Sequence, residues 1–255
     1  MLLDIKNLYR RFGGLQAVSD VSFSVRPGMI KAVIGPNGAG KTTLFNLITG
    51  TLPPSSGVIH FKGQPIHGLA PYRIARQGVA RTYQNIKLYP GMTALENVMV
   101  GRHCRSRAGF LSGMLSLLWT RKEEKAIREK CLELLGLLDI ADLAEVEATS
   151  LAFGQQRAVE LARALAMEPE LLLLDEPAAG LNIYETAEVA RLITKINAQG
   201  ITVLLVEHDM SLVMDISHEI VVLSFGEKIA EGTPSEIQHN KEVIRIYLGE
   251  DDAED

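Results

Sequence analysis

"GPNGAGKTT", residues 35–43, follows an apolar run at Ile30–Ile34 and opens onto a helical pattern from Lys41 to Thr49 that Gly50 closes. Gly35-Pro36-Asn37-Gly38-Ala39-Gly40-Lys41-Thr42 matches G-x-x-x-x-G-K-[ST], and a strand before it with a helix after it is the context this motif demands. Glycines let the backbone curl so that successive amides and the helix N-terminus converge on one centre, where they stabilise β- and γ-phosphates. Lys41 adds a point charge there, and the Thr42 hydroxyl can take a place on Mg²⁺. The stretch from Gly35 through Thr43 is therefore read as a phosphate cradle on a strand–loop–helix unit.

Around that unit the pattern is one of buried parallel strands. Residues 2–8 and 21–25, the latter alternating Val21, Phe23 and Val25, read as early antiparallel strands joined by the Gly13-Gly14 turn. Apolar runs at 171–174 (LLLL) and 201–206 (ITVLLV) alternate with helical patterns at 183–197 and 209–216, which predicts a mostly parallel sheet covered on both faces. Between 85 and 165 the strands disappear, and Ile127, Cys131, Leu134, Leu135 and Leu138 stand at helical spacing. "TPSE", 233–236, is a capping box with Pro at the first helical position and starts a last helix or two. The expectation is one α/β domain over 1–255. Its core comes from 1–84 and 166–240, a helical subdomain is inserted at 85–165, and a C-terminal helix with an acidic tail occupies 241–255.

With 47% apolar and 22% charged residues the chain has ordinary globular composition, which excludes a disordered or low-complexity protein. The net charge of −5 equals that of the last six residues, EDDAED, so the body is neutral and lacks the basic stripe of a nucleic-acid binder. That tail reads as solvated, with an interaction tail as the alternative. Cys104 and Cys131 lack metal-ligand spacing, which points away from zinc and from an oxidising compartment. Asp4 and Lys6 interrupt what would be a signal peptide, and the apolar segment "FLSGMLSLLW" at 110–119 is about half the length of a bilayer crossing. A cytoplasmic chain that borrows any membrane role from a partner is expected.

"LLLLDEP", 171–177, sets Asp175 and Glu176 at the end of a buried strand, where phosphate and metal collect in open α/β sheets. Asp175 is read as a Mg²⁺ holder, direct or through water, and Glu176 as the group that polarises an attacking water. "SLAFGQQRAVELARAL", 150–165, reads as a tight turn opening onto a helix with Val159, Leu161, Ala162 and Leu165 on its apolar side. The free amides of that turn call for an anion.

These stretches, with Gln84 in "RTYQN", "AAGLN" and the histidine of "LLVEHDM", occur in the order and spacing of ABC-transporter ATP-binding subunits, which the chain resembles from Phe12 to about Gly232. It most resembles the LivG-type subunits of branched-chain amino acid importers. The likeness lies in "GPNGAGKTTLFNLITG", "RTYQNIKLYPGMTALENV", an insertion at 102–120 and the ending "GTPSEIQHNKEVIRIYLGE". The resemblance implies that Phe12 stacks on adenine with Val18 nearby, although a lone aromatic in a turn is equally a core residue. It implies that Gln84 contacts Mg²⁺ and the attacking water, and that His208 reaches the γ-phosphate and orients Glu176. Two chains would pair head to tail, so that Leu151, Ala152, Phe153, Gly154 and Gln155 of one meet the ATP of the other.

Two positions depart from the family pattern. Leu-Ser-Gly-Gly-Gln is replaced by Leu151-Ala152-Phe153-Gly154-Gln155, losing a hydroxyl whose hydrogen bond to a charged group is worth roughly 1.5–3 kcal/mol. Asn182 stands where many relatives carry an Asp that helps couple the two sites. Ala152 suggests work beside a non-identical ATPase. The implied partners are that second ATPase, two transmembrane permeases and an extracytoplasmic solute-binding protein, on the cytoplasmic face of the cell membrane. The implied function is ATP hydrolysis driving uptake of branched-chain or other hydrophobic amino acids. Amides or urea-like solutes, a soluble non-transport ABC ATPase and a non-hydrolysing nucleotide clamp are the alternatives. The basic and apolar segment 101–130 is read either as a membrane-facing element or as an extra element packed on the helical subdomain.

Overall fold

The computed structural model describes residues 1–102 and 117–248, with side chains over 1–102 and 123–247. The 102–120 insertion, with Cys104, and the EDDAED tail lie outside the described residues, apart from Arg102 and the backbone of 117–120.

The strands are β1 (Leu3–Phe12), β2 (Leu15–Val25), β3 (Ile30–Ile34), β4 (Ser56–Phe61), β5 (Gln64–Pro65), β6 (Val79–Arg81), β7 (Leu171–Asp175), β8 (Thr202–Val206), β9 (Glu219–Ser224) and β10 (Glu227–Gly232). They form two sheets, an antiparallel one in the order β2-β1-β4-β5 and a larger one in the order β10-β9-β3-β8-β7-β6. In the larger sheet β9, β3, β8, β7 and β6 run parallel, and only β10 turns back along the edge. The helices are α1 (Lys41–Ile48), α2 (Pro71–Arg76), α3 (Ala94–Arg102), α4 (Leu117–Leu137), α5 (Phe153–Leu165), α6 (Ile183–Asn197), α7 (Met210–Ile216), α8 (Pro234–Gln238) and α9 (Lys241–Leu248).

The apolar strands are buried on both faces, and the period of two sorts their side chains between two cores. Ala32, Leu172, Leu174, Val203, Leu205, Ile220 and Val222 join the core under α3 to α6. Val33, Leu171, Leu173, Leu204, Val206, Val221 and Leu223 join the core shared with α1 and the antiparallel sheet. Lys31 interrupts this pattern in β3. It is 1% exposed, and its ammonium is neutralised by Glu219 and Glu231 while donating to the Ser24 carbonyl.

Helix ends follow local chemistry. Thr233 caps α8 through Glu236 N–H while Glu236 accepts from the Thr233 amide, and Pro234 stands at the first helical position. α5 is buried more fully than its apolar stripe predicts, because Arg157 and Glu160 are buried with it as an ion pair at 2.6 Å.

Parallel neighbours end on the same edge of a sheet. The loops that follow β6, β7, β8 and β3 therefore emerge side by side, although residues from across most of the chain supply them.

Candidate active site

The loop after β3 is closed by backbone that only glycine tolerates. Gly35 has φ +151°, and a Cβ there would lie 2.1 Å from the Leu223 carbonyl oxygen; at Gly40, with φ +99°, it would lie 2.4 Å from that of Ala17. Lys41 is 7% exposed, and its Nζ donates to the Gly35 and Pro36 carbonyls at 2.6 and 3.0 Å. Burial pulls its pKa below the usual lysine range, against the opposing pull of Glu176 and Asp175. A buried ammonium whose hydrogen bonds go to carbonyls, with no carboxylate in direct contact, is suited to receive an anion.

The loop opens into a cleft of about 500 Å³ lined by Phe12, Gln16, Ala17, Asn37 to Thr43, Glu176 and Phe225. Phe12 stands at the end of β1, 42% exposed, with the Arg10 guanidinium 4.6 Å from its ring centroid. Its ring belongs to the cleft wall and not to the core. Val18 is 1% exposed and packs inside the second core, so the part of β2 that faces the cleft is Leu15, Gln16 and Ala17.

Three candidates from three loops meet at the mouth of this cleft. Gln84 donates from Nε2 to Glu176 Oε2 at 2.6 Å, and His208 Nδ1 lies 3.9 Å from the same oxygen. Glu176 holds a left-handed backbone, φ +48°, a conformation that costs a non-glycine residue of order 1–3 kcal/mol and recurs at functional sites. Asp175 is buried, with Oδ2 accepting from Arg81 Nη2 at 2.6 Å.

Several residues that hold this arrangement escape a motif-based reading. Arg81 also donates to Asn46 on α1, which ties the start of the Gln84 loop to the helix of the phosphate loop. Glu207, 0% exposed, accepts from the amides of Ala178, His208 and Asp209, and so fastens the His208 loop to the stretch after Glu176. Arg157 donates to the Tyr83 and Gln84 carbonyls at 3.1 and 3.2 Å, linking α5 to the Gln84 loop. The available signal was charge at buried helical positions: Arg157 and Glu160 stand three apart, at ion-pair spacing, on a helix whose other faces are apolar.

The turn at 151–155 lies elsewhere, and none of its residues lines the cleft of its own chain. Ala152 occupies the cap position of α5 without a side-chain acceptor. Half of a capping box survives, Gln155 Oε1 accepting from the Ala152 amide at 3.1 Å. The first backbone bond of α5 is Gln156 N–H to Ala152 O, so the preceding amides point out of the helix end. Asn182 has a local task as well. Its Oδ1 accepts from Tyr184 and Glu185 amides while Glu185 accepts from its own, a full capping box on α6.

Thr42, Gln84 and Asp175 offer a hydroxyl, an amide and a carboxylate, a hard oxygen set that suits Mg²⁺. Among the described residues no group of three His, Cys, Asp or Glu side chains could hold a metal unaided. A cation here would need further oxygen ligands, such as those of a phosphate, so the residues fit a metal that arrives with a nucleotide.

A glycine cradle on β3, acids after β7, a glutamine after β6, a histidine after β8 and a signature turn on a separate helical layer together define an ATP-binding cassette. The family model for the ABC transporter matches residues 18–179, and the chain belongs to that family. It is an ATPase that binds nucleotide.

Within the family, a model described as the branched-chain amino acid ATP-binding cassette transporter matches residues 227–253. The chain is 45% identical over 250 residues, 98% of each chain, to the high-affinity branched-chain amino acid transport ATP-binding protein BraF of Pseudomonas aeruginosa. It is 45% identical over 253 residues, again 98% of each, to the corresponding protein LivG of Escherichia coli strain K12. A crystal structure of the ADP conformation of an ATP-binding cassette of an ABC transporter superposes with TM-score 0.84 at 33% identity, covering 98% of this chain and 99% of that one. A dimeric cassette in a post-hydrolysis state bound to ADP and Pi gives TM-score 0.75 at 26% identity over 91% and 98%.

Proposed function

We propose that this chain drives import of branched-chain or other hydrophobic amino acids from the cytoplasmic face of the cell membrane. It would work beside a second ATPase, under two permeases fed by an extracytoplasmic solute-binding protein. The observation that carries the reading is the convergence of Gln84 and His208 on one oxygen of Glu176 at the mouth of the Lys41 loop.

Lys41 exchanges the Gly35 and Pro36 carbonyls for the β- and γ-phosphates, whose charge offsets its desolvation penalty. Phe12 stacks on the base. Glu176 accepts the proton of the attacking water, Gln84 orients that water through its amide, and His208 reaches the γ-phosphate and orients Glu176. Thr42, Gln84 and Asp175 would hold Mg²⁺, which would supply neutralisation of phosphate charge. Arg81 holds the Asp175 carboxylate in orientation for that task.

The outward amides at the start of α5, with the positive end of the helix behind them, reach the γ-phosphate of a paired cassette. Loss of that phosphate then opens the pair. The dimeric relative and the absence of 151–155 from the chain's own cleft both support pairing in trans. Motion passes outward through Arg157, which joins α5 to the Gln84 loop. Beside that loop a groove of about 580 Å³, lined by Tyr83, Lys87, Leu88, Tyr89, Arg163 and Met167, suits a short permease helix. No helix among the described residues is long and apolar enough to cross a membrane, so anchoring falls to the permeases.

The test is uptake of labelled leucine, and of an amide such as acetamide, by cells whose only copy of this subunit is wild type, Lys41→Ala or Glu176→Gln. Loss of leucine uptake in both variants supports the reading. Uptake that persists without Lys41 overturns the ATP-driven role, and uptake of the amide alone reassigns the solute.

A further inference from the structure

β8 is buried at every position, and the burial continues one residue past its end, where Glu207 is 0% exposed. Among the described residues no Lys or Arg lies within ion-pair distance of it, and His208 Nδ1 stands 3.5 Å from Oε2. Main-chain amides take the place of a cation. Oε1 accepts from Ala178 at 2.9 Å, and Oε2 accepts from His208 and Asp209 at 2.7 and 3.2 Å. Both oxygens face N–H donors, so the site suits a carboxylate, which only accepts.

Those amides belong to the two loops that carry Glu176 and His208. Pro177 has no N–H, so the stretch 176–178 has two amides to place. Consecutive residues at the end of β8 take both, Val206 O accepting from Glu176 N–H at 2.9 Å and Glu207 Oε1 from Ala178 N–H at 2.9 Å. The Glu176 α-carbon lies between these anchors, and its left-handed backbone, φ +48°, is one that persists only where the surroundings hold it. The other oxygen of the same planar group holds the amide of His208 itself. The 3.9 Å from His208 Nδ1 to Glu176 Oε2 is thus a distance between two loops fastened to one carboxylate. An apolar residue at 207 would leave three amides unpaired. A glutamine, with one acceptor and one NH₂, would set a donor against a donor on one side in either orientation.

We propose that Glu207 is a positioning residue for ATP hydrolysis, its buried carboxylate setting His208 against Glu176 so that the strained turn and the histidine loop act as one piece. The proposal rests on the reading of Glu176 and His208 as the groups that act on water and γ-phosphate.

The test uses the full-length chain as wild type, Glu207→Gln, Glu176→Gln and the double variant. Three quantities are measured where each protein is fully folded: binding of a fluorescent ATP analogue with Mg²⁺, phosphate release in a single turnover at saturating ATP, and Tm. We expect Glu207→Gln to slow phosphate release about ten- to hundredfold, the loss of a charge-assisted hydrogen bond. Nucleotide affinity should stay within about twofold of wild type, because Lys41 and the loop amides are untouched. In the Glu176→Gln background the same substitution should slow release no further, since the group it positions is already gone. Should Glu207→Gln fail to fold, Glu207→Asp, which keeps two acceptors on a shorter stem, is read by the same criteria. Wild-type release from the folded variant, a full multiplied loss in the double variant, or affinity that falls together with Tm would each overturn the proposal and leave Glu207 a folding residue. Equal release by wild type and Glu176→Gln would instead overturn the reading of Glu176, and this proposal with it.

Discussion

Gln84 Nε2 donates to Glu176 Oε2 at 2.6 Å, joining the loop after β6 to the end of β7. Because Arg157 of α5 holds the backbone of the same glutamine, the helical layer and the carboxylate are connected through one residue. A shift of α5 would therefore displace Gln84 relative to Glu176, a physical route between that helix and the carboxylate at the cleft.

Glu176→Gln keeps the volume and the contact with Gln84 but removes the proton acceptor. Phosphate release in a single-turnover assay should fall at least about 10²-fold. Binding of Mg-ATP should persist, because Lys41 and the loop amides are untouched. Equal turnover in variant and wild type would remove Glu176 from the chemistry.

Arg157→Met strands the buried Glu160 carboxylate and should destabilise the chain by about 3–5 kcal/mol in urea unfolding. The double variant Arg157→Met, Glu160→Met should recover most of that loss, since no unpaired charge remains. ATPase should stay low in both, because the grip on the Tyr83 and Gln84 carbonyls is gone. Wild-type turnover in the double variant would show that the pair serves folding only.

Asn182 separates capping from coupling. Asn182→Ala should lower stability by about 1 kcal/mol through loss of the α6 cap. Asn182→Asp keeps the acceptor and adds a negative charge at the helix N-terminus, stabilising by about 0.3–1 kcal/mol. Thermal unfolding of the isolated chain reads this effect free of any partner.

Ala152→Ser restores an acceptor at the α5 cap and a donor toward phosphate. ATPase in the assembled transporter should rise, by about tenfold if the hydroxyl makes a charge-assisted bond worth about 1.5 kcal/mol. Unchanged turnover would mean the hydroxyl was never limiting, and the case for a blunted turn beside an unlike partner would fall.

Burial pushes the Cys131 thiol up to about 11, Arg102 opposing. The unfolded chain begins to release that proton near its ordinary value of 9.0, while the folded chain retains it to about 11. Stability should therefore fall as pH rises from 9 to 11, and a Cys131→Ala variant should show a shallower fall across that window. In a Cys104→Ser background the native chain should be inert to Ellman's reagent at pH 8, with one thiol reacting on denaturation.

Much of this molecule is legible in local pattern. The phosphate loop, the acid pair after a leucine run and the "TPSE" cap each owe their form to residues a few positions away, so spacing alone reports them. The doubly buried sheet follows for the same reason, since strands apolar at consecutive positions have no face to give to water. Asn182 as a helix cap is equally local, visible as Asn with Glu three residues later. Strands β4, β6 and β10 are harder, because each is short or mixed in polarity, whereas the apolar run of β9 is as legible as that of β3.

What pattern cannot carry is the set of contacts made across the fold. Arg81 meeting Asp175, Arg157 reaching the Gln84 carbonyl, and Val18 turning inward while Gln16 faces the cleft all depend on which strands lie adjacent and how far each helix reaches. Those distances are fixed by packing two cores against one sheet, a condition on the whole chain at once. A short-range code names the groups that perform chemistry, and the packed interior selects the partners that hold them in place.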